Sequence, residues 1–268
     1  MDYIDINKNL WNRKTEIHYD SEFYDVDSFI KGKDSLNQTE LELLGDIDGK
    51  KILHLQCHFG LDTISLSRRG ALATGVDFSE KAIEKAKQLN ESLGTRTRFI
   101  QSDIYKLPEV LDEEFDIVFT SYGVIGWLPD MKRWAKIVSR FLKPGGNFIL
   151  VEFHPVVWMF SYDFKQIEFN YMDSNPIIEE LEGTYTDRNA QIKEKSVTWN
   201  HGLANVLDSI VKAGLTIEDF KEYNHSPYNC FENTIKVDER MFQIKGLENK
   251  IPMTFSLLAN KKRKGKNK

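Results

Sequence analysis

Apolar and polar positions alternate regularly between residues 51 and 153. Short apolar runs predict strands at 51–56, 73–77, 98–101, 115–121 and 147–153. Amphipathic stretches between these runs predict helices at 61–69, 79–93 and 130–142. Strands that alternate with helices are typical of parallel β-α-β units with right-handed crossovers.

The region before the first predicted strand differs in composition. Residues 1–30 are rich in aromatic side chains, so we expect this segment to dock on the rest of the molecule rather than to form a free arm. Ser35 and Gln38 have the spacing of a capping box, which predicts the start of a helix. We expect that helix to end at Gly45.

The regular alternation is interrupted after the fifth predicted strand. Residues 155–200 combine turn residues with Thr, Tyr and Val stretches, which predicts an inserted region of short antiparallel strands. A helix at 203–213 and a strand at 215–223 follow. Residues 224–250 are predicted to be irregular, and Met253, Phe255 and Leu257 alternate in a last strand.

Composition limits the class of protein. The chain has 268 residues with 41% hydrophobic residues, enough for a sizeable core. It has two cysteines without a zinc-site spacing, and we expect no metal. Its apolar runs are shorter than the roughly 20 residues of a membrane span, and the N-terminus lacks signal-peptide features. We therefore expect a soluble, cytoplasmic protein.

Charge divides the chain into two unequal parts. The net charge is −5, but residues 261–268 carry six positive charges, so the rest of the chain has a net charge of −11. An acidic body repels phosphate backbones, which argues against nucleic acid as a partner. The basic tail is predicted to be a solvated, disordered terminus, with contact to an acidic partner or membrane surface as the alternative.

Polar residues occur where the predicted parallel strands end. Ligands of open parallel sheets bind at these ends. A carboxylate after the second strand can accept ribose hydroxyls, one after the third can accept an exocyclic amine, and a helix N-terminus attracts an anion. The pattern therefore favours a nucleoside ligand. The residues at these ends are Gln56, Cys57, His58, Phe59, Gly60, Asp77, Asp103, Ser121, Tyr122, Gly123, Glu152, Phe153 and His154.

Five motifs in this order make the chain resemble a class I S-adenosylmethionine-dependent methyltransferase. The resemblance covers about residues 40–155. It implies a Rossmann-like, seven-stranded, mostly parallel α/β sheet of order 3-2-1-4-5-7-6, with the last strand antiparallel. The motifs are Ile-Leu-His-Leu-Gln-Cys-His-Phe-Gly at 52–60, Gly-Val-Asp-Phe-Ser at 75–79, Gln-Ser-Asp-Ile at 101–104, Phe-Asp-Ile-Val at 115–118 and Leu-Lys-Pro-Gly-Gly at 142–146.

The first motif departs from the family pattern. His54 occupies the usual acidic position, Gln56 and His58 occupy two glycine positions, and only Gly60 is retained. The chain lacks the G-x-G-x-x-G fingerprint, which argues against a nicotinamide oxidoreductase. The His-Leu-Gln-Cys-His-Phe-Gly run is similar to a subgroup of small bacterial methyltransferases of unassigned substrate.

The resemblance also implies the residues that bind S-adenosylmethionine. Asp77 is expected to bind the ribose hydroxyls and Phe78 to pack on the adenine. Asp103 is expected to accept the adenine amine beside the Ile104 backbone, although capping a helix is an alternative role. The other expected cofactor-binding residues are His54, for which a core role is equally open, Gln56, His58, Gly60, Ser121 and Tyr122.

The acceptor class is inferred from motifs that are missing. The fourth strand ends in Thr-Ser-Tyr-Gly at 120–123, not in the Asn/Asp-Pro-Pro-aromatic run of many N-methylating enzymes or the Pro-Cys of base C5-methylation. We expect a small-molecule acceptor, methylated at O or N. Candidate catalytic residues are His154, His201 and Tyr122, although His154 can shape a turn and His201 can cap a helix. The aromatic residues expected to bind the acceptor are Trp11, Tyr19, Tyr24, Trp127, Trp158 and Trp199.

These expectations give one methyltransferase domain at 1–260, active as a monomer or homodimer. Its parts are an N-terminal helical lid (1–45), a cofactor-binding core (46–154), a β insertion (155–200) and a C-terminal part of the core (201–260). Two alternatives are a cofactor-binding protein that acts through a partner without methyl transfer, and an enzyme that uses the sulfonium for another group transfer.

Overall fold

The computed structural model describes residues 3–172 and 175–263. Its helices are α1 (Tyr3–Tyr19), α2 (Val26–Ile30), α3 (Gln38–Leu44), α4 (Leu61–Arg68), α5 (Glu80–Ser92), α6 (Leu107–Val110), α7 (Met131–Phe141) and α8 (Leu203–Lys212). Its strands are β1 (Lys51–Leu55), β2 (Leu72–Asp77), β3 (Arg98–Gln101), β4 (Phe115–Ser121), β5 (Leu142–Phe153), β6 (Ile177–Glu182), β7 (Lys193–Thr198), β8 (Leu215–Tyr223), β9 (Thr234–Asp238), β10 (Met241–Ile244) and β11 (Thr254–Lys261).

Seven strands form one twisted sheet in the order β3-β2-β1-β4-β5-β11-β8. The first five of these are parallel to one another, and β11 runs antiparallel to both β5 and β8. Numbered along the chain, this is the order 3-2-1-4-5-7-6. The predicted Rossmann-like α/β fold is therefore confirmed, and the predicted antiparallel pair in the insertion is β6 with β7.

Both faces of the sheet are covered, which explains why its central strands are apolar throughout. On one face, Leu53 and Val118 belong to a core that includes Trp134 of α7. On the other face, Ile52 and Phe119 pack in a second core. All of these side chains are buried. Alternate residues of one strand thus enter different cores, and polar side chains are left to the strand ends.

Two element boundaries differ from those predicted. Asn37, not Ser35, is the N-cap of α3, and Glu40 completes the capping box in place of Gln38. β5 begins at Leu142, five residues before the predicted start, because Leu142 pairs with Phe115 ahead of a register shift. The Pro-Gly-Gly sequence therefore lies inside an irregular strand and does not separate a helix from a strand.

Two further differences lie towards the C-terminus. Part of the predicted irregular stretch is a hairpin of β9 and β10. In its turn Arg240 adopts a left-handed backbone (φ 52°), a conformation that glycine usually marks in the sequence. Lys261, assigned to the disordered tail, ends β11 and donates to the carbonyls of Ser139 and Leu142 at 2.8 and 2.7 Å. The tail prediction for residues 264–268 lies outside the described residues.

A cover, defined here as α1 together with the β6–β7 hairpin, lies over the carboxyl ends of the parallel strands. Asn7 of α1 joins its two parts: its amide donates to the Val197 carbonyl at 2.7 Å and accepts from the Val197 backbone N–H at 2.9 Å. Asn12 fixes α1 to the sheet layer by accepting from the Ser79 hydroxyl at 2.7 Å. None of the helices in the described part of the chain is long and apolar enough to span a membrane.

Candidate active site

A cavity of about 670 Å³ lies between the carboxyl ends of β1, β4 and β5 and the cover. Most of its wall is apolar and aromatic, which is usual for small-molecule sites. The structure brings most of the predicted site residues to this wall. They are His54, Gln56, His58, Gly60, Ser121, Tyr122, Trp11, Tyr24, Trp127, Trp158 and Trp199.

The turn after β1 keeps a glycine-like backbone with two larger residues. Gln56 and His58 have φ values of 56° and 50°, in the left-handed region that favours glycine. The Gln56 amide nitrogen donates to the Val124 carbonyl at 2.9 Å, and the His58 backbone N–H donates to Asp77 at 2.9 Å. Hydrogen bonds to Val124 and Asp77 thus hold the turn in place. The side chains of Gln56 and His58 line the cavity at positions where the family pattern has glycine.

Several polar groups beside this turn are buried without a partner. In the described part of the chain, both ring nitrogens of His58 and the side-chain oxygen of Gln56 lack hydrogen bonds. Lys14 of α1 is 5% exposed and lines the same cavity. Its ammonium lies 5.3 and 5.7 Å from the ring centres of Trp11 and Trp127, and within residues 3–172 and 175–263 no carboxylate pairs with it. Such groups are costly unless a ligand pairs with them.

Burial keeps these basic side chains weakly basic. It lowers the pKa of Lys14 to about 8. It also lowers the pKa of His58 to about 3, with a smaller effect from the nearby Lys14 charge. His58 is therefore neutral at pH 7 and has one N–H donor and one acceptor nitrogen.

His54 belongs to a small polar network on the cavity wall. Its Nδ1 lies 2.8 Å from the Thr63 hydroxyl and its Nε2 lies 3.4 Å from the Ser121 hydroxyl. Ser121 in turn donates to Asp62 at 3.2 Å. Burial lowers the pKa of His54 to about 3, so this imidazole is neutral. His54 is thus a hydrogen-bonded core residue that also lines the cavity, and its role in cofactor binding stays a prediction.

The residues expected at the adenosine end lie outside the wall of this cavity. Asp77 ends β2, is 7% exposed and accepts backbone N–H groups of His58 and Ser79, each at 2.9 Å. Burial raises the pKa of Asp77 to about 6. Asp103 caps a short 3₁₀ helix by accepting from the Tyr105 N–H at 2.9 Å, which is its alternative role. Ile104 is buried in that helix, and Phe78 is half-buried beside Asp77.

Two of the three candidate catalytic residues are not at the cavity. Nε2 of His154 lies 2.9 Å from a carboxylate oxygen of Glu222, a residue of the edge strand β8. His201 donates to the Leu128 carbonyl at 2.6 Å and lies before α8. Neither lines the cavity, so their position does not support the predicted role as a base. The third candidate, Tyr122, does line it.

One predicted acceptor-binding residue is also displaced. Tyr19 ends α1 and packs edge-on against Phe59 with ring centres 5.4 Å apart. Its outer side is covered by the Lys85 ammonium, 4.7 Å from the ring centre. Tyr19 therefore packs between Phe59 and Lys85, outside the cavity wall.

Comparisons with known proteins identify the region that carries the motifs. Residues 52–146 match the family described as a methyltransferase domain. An uncharacterized methyltransferase of Synechocystis sp. is 35% identical over 133 residues, which are 49% of this chain and 60% of that protein. A ubiquinone biosynthesis O-methyltransferase of Pseudomonas fluorescens is 26% identical over 144 residues, which are 52% of this chain and 62% of that protein. The matched part is less than two thirds of either relative.

The fold agrees with this match. A solved structure of a putative S-adenosylmethionine dependent methyltransferase from Listeria monocytogenes superimposes with a TM-score of 0.62. It is 20% identical, and the alignment covers 84% of this chain and 96% of that one. Residues 52–146 therefore carry a methyltransferase domain, on a fold that the chain shares with the solved methyltransferase. The predicted resemblance is confirmed.

The cavity also contains polar residues to which the sequence assigned no role. Glu152, named only as a residue near the end of β5, has a carboxylate that accepts the backbone N–H groups of Val124 and Ile125 at 2.8 and 3.0 Å. Lys14, Asp62 and Tyr228, which the sequence did not single out, line the wall as well. The weak signals were the i, i+3 spacing of Trp11 and Lys14 and the place of Asp62 in the first turn of α4. Among the described residues, no cluster of three or more His, Cys, Asp or Glu side chains could hold a metal ion.

Proposed function

We propose that the protein transfers a methyl group from S-adenosylmethionine to an oxygen or nitrogen atom of a small-molecule acceptor. The observation that supports this most is the set of buried polar groups without a hydrogen-bond partner on the turn after β1, within the methyltransferase domain, together with the buried Lys14 ammonium of α1 above it. The cavity of about 670 Å³ beside them has the size of a small-molecule site.

The unpaired groups fit the methionine part of S-adenosylmethionine, which carries an ammonium and a carboxylate. In this proposal the Gln56 side-chain oxygen accepts from the ammonium, and Lys14 and His58 donate to the carboxylate. The buried Lys14 ammonium thereby gains the counter-ion that the described protein residues do not provide. When bound, S-adenosylmethionine supplies a methyl group on a positively charged sulfur, which makes that carbon reactive.

The adenosine part keeps the sequence-based roles. Asp77 accepts the ribose hydroxyls, because each of its oxygens has a lone pair beyond the one used for a backbone N–H. Asp103 accepts the adenine amine next to the Ile104 backbone, and Phe78 packs on the base. Ser121 lies near the sulfonium in this proposal, at the end of the central strand β4.

The acceptor binds in the aromatic part of the cavity. In this proposal residues 46–154, together with Lys14 of α1, hold the cofactor, and the rest of 1–45 and the segment 155–200 supply much of the acceptor wall. Methyl transfer depends mainly on alignment, which rigid aromatic side chains such as Trp127 and Trp158 provide. The acidic body disfavours nucleic acid as an acceptor, and the name of the Pseudomonas fluorescens relative supports an oxygen atom as the methylated site.

Titration calorimetry with S-adenosylmethionine and S-adenosylhomocysteine tests the cofactor assignment. We expect saturable binding of both compounds by the full chain. As a control, Asp20→Ala removes an exposed carboxylate and should bind both compounds as tightly as the wild type. If neither compound binds, the proposed function is wrong.

A further inference from the structure

A fully buried carboxylate lies directly behind the cavity wall. Glu40 in the first turn of α3 is 0% exposed. One of its oxygens accepts from the backbone N–H and the side-chain amide of Asn37, at 3.4 and 3.0 Å. The other oxygen accepts from the Tyr122 hydroxyl at 3.1 Å. The first oxygen alone completes the capping box, so the bond to Tyr122 is additional to what the helix requires.

Tyr122 connects this carboxylate to the cavity. It follows the last residue of β4 and lines the wall, whereas Glu40 does not. Tyr228 and Phe153 flank it, with ring centres 5.2 and 5.6 Å from that of Tyr122. A phenolic hydroxyl both donates and accepts, so it can give its proton to one neighbour while it receives another. A ligand hydroxyl that contacts the Tyr122 hydroxyl is thus connected to the Glu40 carboxylate through that single group.

The surroundings of Glu40 suit a proton acceptor near neutral pH. The pKa of Glu40 is raised to about 7, mainly by burial and also by the Asp62 charge, while the Asn37 hydrogen bonds act in the opposite direction. Tyr122 and Tyr228 also face this carboxylate, and burial raises the pKa values of both, so they remain protonated. Arg240, which lowers the pKa of Asp62, is the basic group that faces this cluster. A general base is most effective when its pKa is near the working pH.

The other candidate bases are weaker or lie elsewhere. His54 and His58 line the cavity, but burial lowers the pKa of each to about 3. His154 and His201 are outside the cavity. Carboxylates also line the cavity wall, among them Asp62 and Glu152. Glu152 is occupied by the backbone N–H groups of Val124 and Ile125, whereas Asp62 accepts from the Ser121 hydroxyl. Asp62 is therefore the carboxylate that the experiment must separate from Glu40.

We propose that Glu40 accepts the acceptor's proton through the Tyr122 hydroxyl, and that the acceptor is a small compound with an ionisable hydroxyl on a flat ring. The inference rests on the methyl transfer proposed above. The acceptor oxygen forms a bond to the methyl carbon while the carbon–sulfur bond breaks, and the electron pair of that bond stays on sulfur. The hydroxyl proton moves to the Tyr122 oxygen, and the Tyr122 proton moves to Glu40. We infer a flat ring because the aromatic side chains of Tyr122, Tyr228 and Phe153 can pack against another ring by stacking or by edge-to-face contact.

Two probe acceptors of different acidity provide the test. Phenol must lose its proton during transfer, whereas 4-nitrophenol is largely ionised by itself at pH 8.5. Glu40→Gln keeps the capping box and a partner for Tyr122 but cannot take up a proton. We expect it to lower kcat/KM for phenol by about 100-fold, the size of a general-base effect, and for 4-nitrophenol by no more than about threefold. Tyr122→Phe should act in the same direction.

A second readout does not depend on turnover. Difference infrared spectra of wild type minus Glu40→Gln should show a protonated carboxyl band that disappears with a midpoint near pH 7, and S-adenosylhomocysteine affinity should be unchanged. Wild-type kcat/KM for phenol should rise with pH up to the same midpoint. The proposal is wrong if Glu40→Gln lowers kcat/KM equally for both probes or leaves the pH profile unchanged. It is also wrong if the selective loss occurs in Asp62→Asn alone. Methylation of neither probe by a protein that binds S-adenosylmethionine would overturn it as well. Failure to bind S-adenosylmethionine concerns the proposed function instead.

Discussion

The two sides of the cavity are held in place by different kinds of interaction. On the sheet side, polar side chains position backbone: the Glu152 carboxylate accepts the N–H groups of Val124 and Ile125, which fixes the loop after β4. On the cover side, elements distant in sequence meet through single side chains. Asn7 of α1 joins Val197 of the hairpin with two hydrogen bonds. The hydroxyl of Tyr24, between α1 and α2, lies 2.5 Å from that of Tyr185, in the turn of the hairpin.

This difference separates what is common to the fold from what is particular to the chain. Parallel strands with buried apolar faces bring β1, β2, β4 and β5 to one edge in any sequence with this pattern. The cover depends on individual contacts, which can change without altering the sheet. We therefore expect changes on the sheet side to affect folding and cofactor binding together, and changes on the cover to affect binding without loss of stability.

The largest effect is expected for Asp77→Ala on the sheet side. It removes the acceptor of two backbone N–H groups together with the proposed ribose partner. Loss of charged hydrogen bonds of this kind costs about 3 kcal/mol, so S-adenosylhomocysteine should bind about 100-fold more weakly in calorimetry. Asp20→Ala is the control, and an affinity within threefold of wild type would contradict the assignment.

A pair of glycines tests whether the sheet side is rigid. Gly60→Ala places a methyl group 2.6 Å from the Phe99 ring and on a backbone with φ 83°. We expect it to lower the free energy of unfolding in urea by about 2 kcal/mol. Gly94→Ala, at φ 62° in open space, carries only the backbone strain and should cost about 1 kcal/mol. Equal costs would mean that Phe99 moves aside freely.

A lysine on the cover should show the opposite behaviour. Lys14→Met removes a buried, unpaired ammonium and keeps an apolar side chain of similar length, so the free energy of unfolding should stay equal or rise. S-adenosylhomocysteine affinity should fall about tenfold, which corresponds to about 1.4 kcal/mol for a lost carboxylate partner. Lys8→Met, on the same helix but paired with Glu80 at the surface, is the control. Unchanged affinity in Lys14→Met would place the methionine carboxylate elsewhere.

The smallest expected effect is on the pH dependence of the free energy of unfolding, for which one histidine from each side is compared. Burial lowers the pKa of His54 on the sheet side to about 3 and that of His18 on the cover to about 2. The unfolded chain therefore binds protons at these histidines below about pH 6.5, whereas the folded protein does not. The contribution of each neutral imidazole to the free energy of unfolding is thus fully present above pH 6.5. It is lost as the pH falls towards the pKa of the folded state. Each should remove about 0.7 kcal/mol from the free energy of unfolding between pH 7 and pH 6.

Variants His54→Gln and His18→Gln should each reduce this pH dependence in urea titrations. If His54→Gln has the effect and His18→Gln does not, the cover opens before the sheet unfolds. Such a result would sharpen the distinction between the two sides. If neither variant changes the slope, the imidazoles are not buried as described.

The sequence predicts the sheet side much better than the cover. Apolar runs such as Ile117-Val118-Phe119 mark strands because local pattern and burial coincide. The hairpin of β9 and β10 was missed because Arg240 adopts a left-handed turn that is usually marked by glycine. Lys14 was missed because an amphipathic helix is expected to direct lysine to solvent. Glu40 and Tyr122 are 82 positions apart, and no local pattern links residues at that separation.

The left-handed residues Gln56 and His58 bear on how the protein would respond to selection or engineering. A non-glycine residue in this conformation costs roughly 1–2 kcal/mol, so both positions work against folding. A screen for heat tolerance alone would favour glycine there, whereas a screen for ligand binding would favour the side chains that reach the cavity. Comparing the winners of two such screens would show what each side chain contributes to binding at the expense of stability.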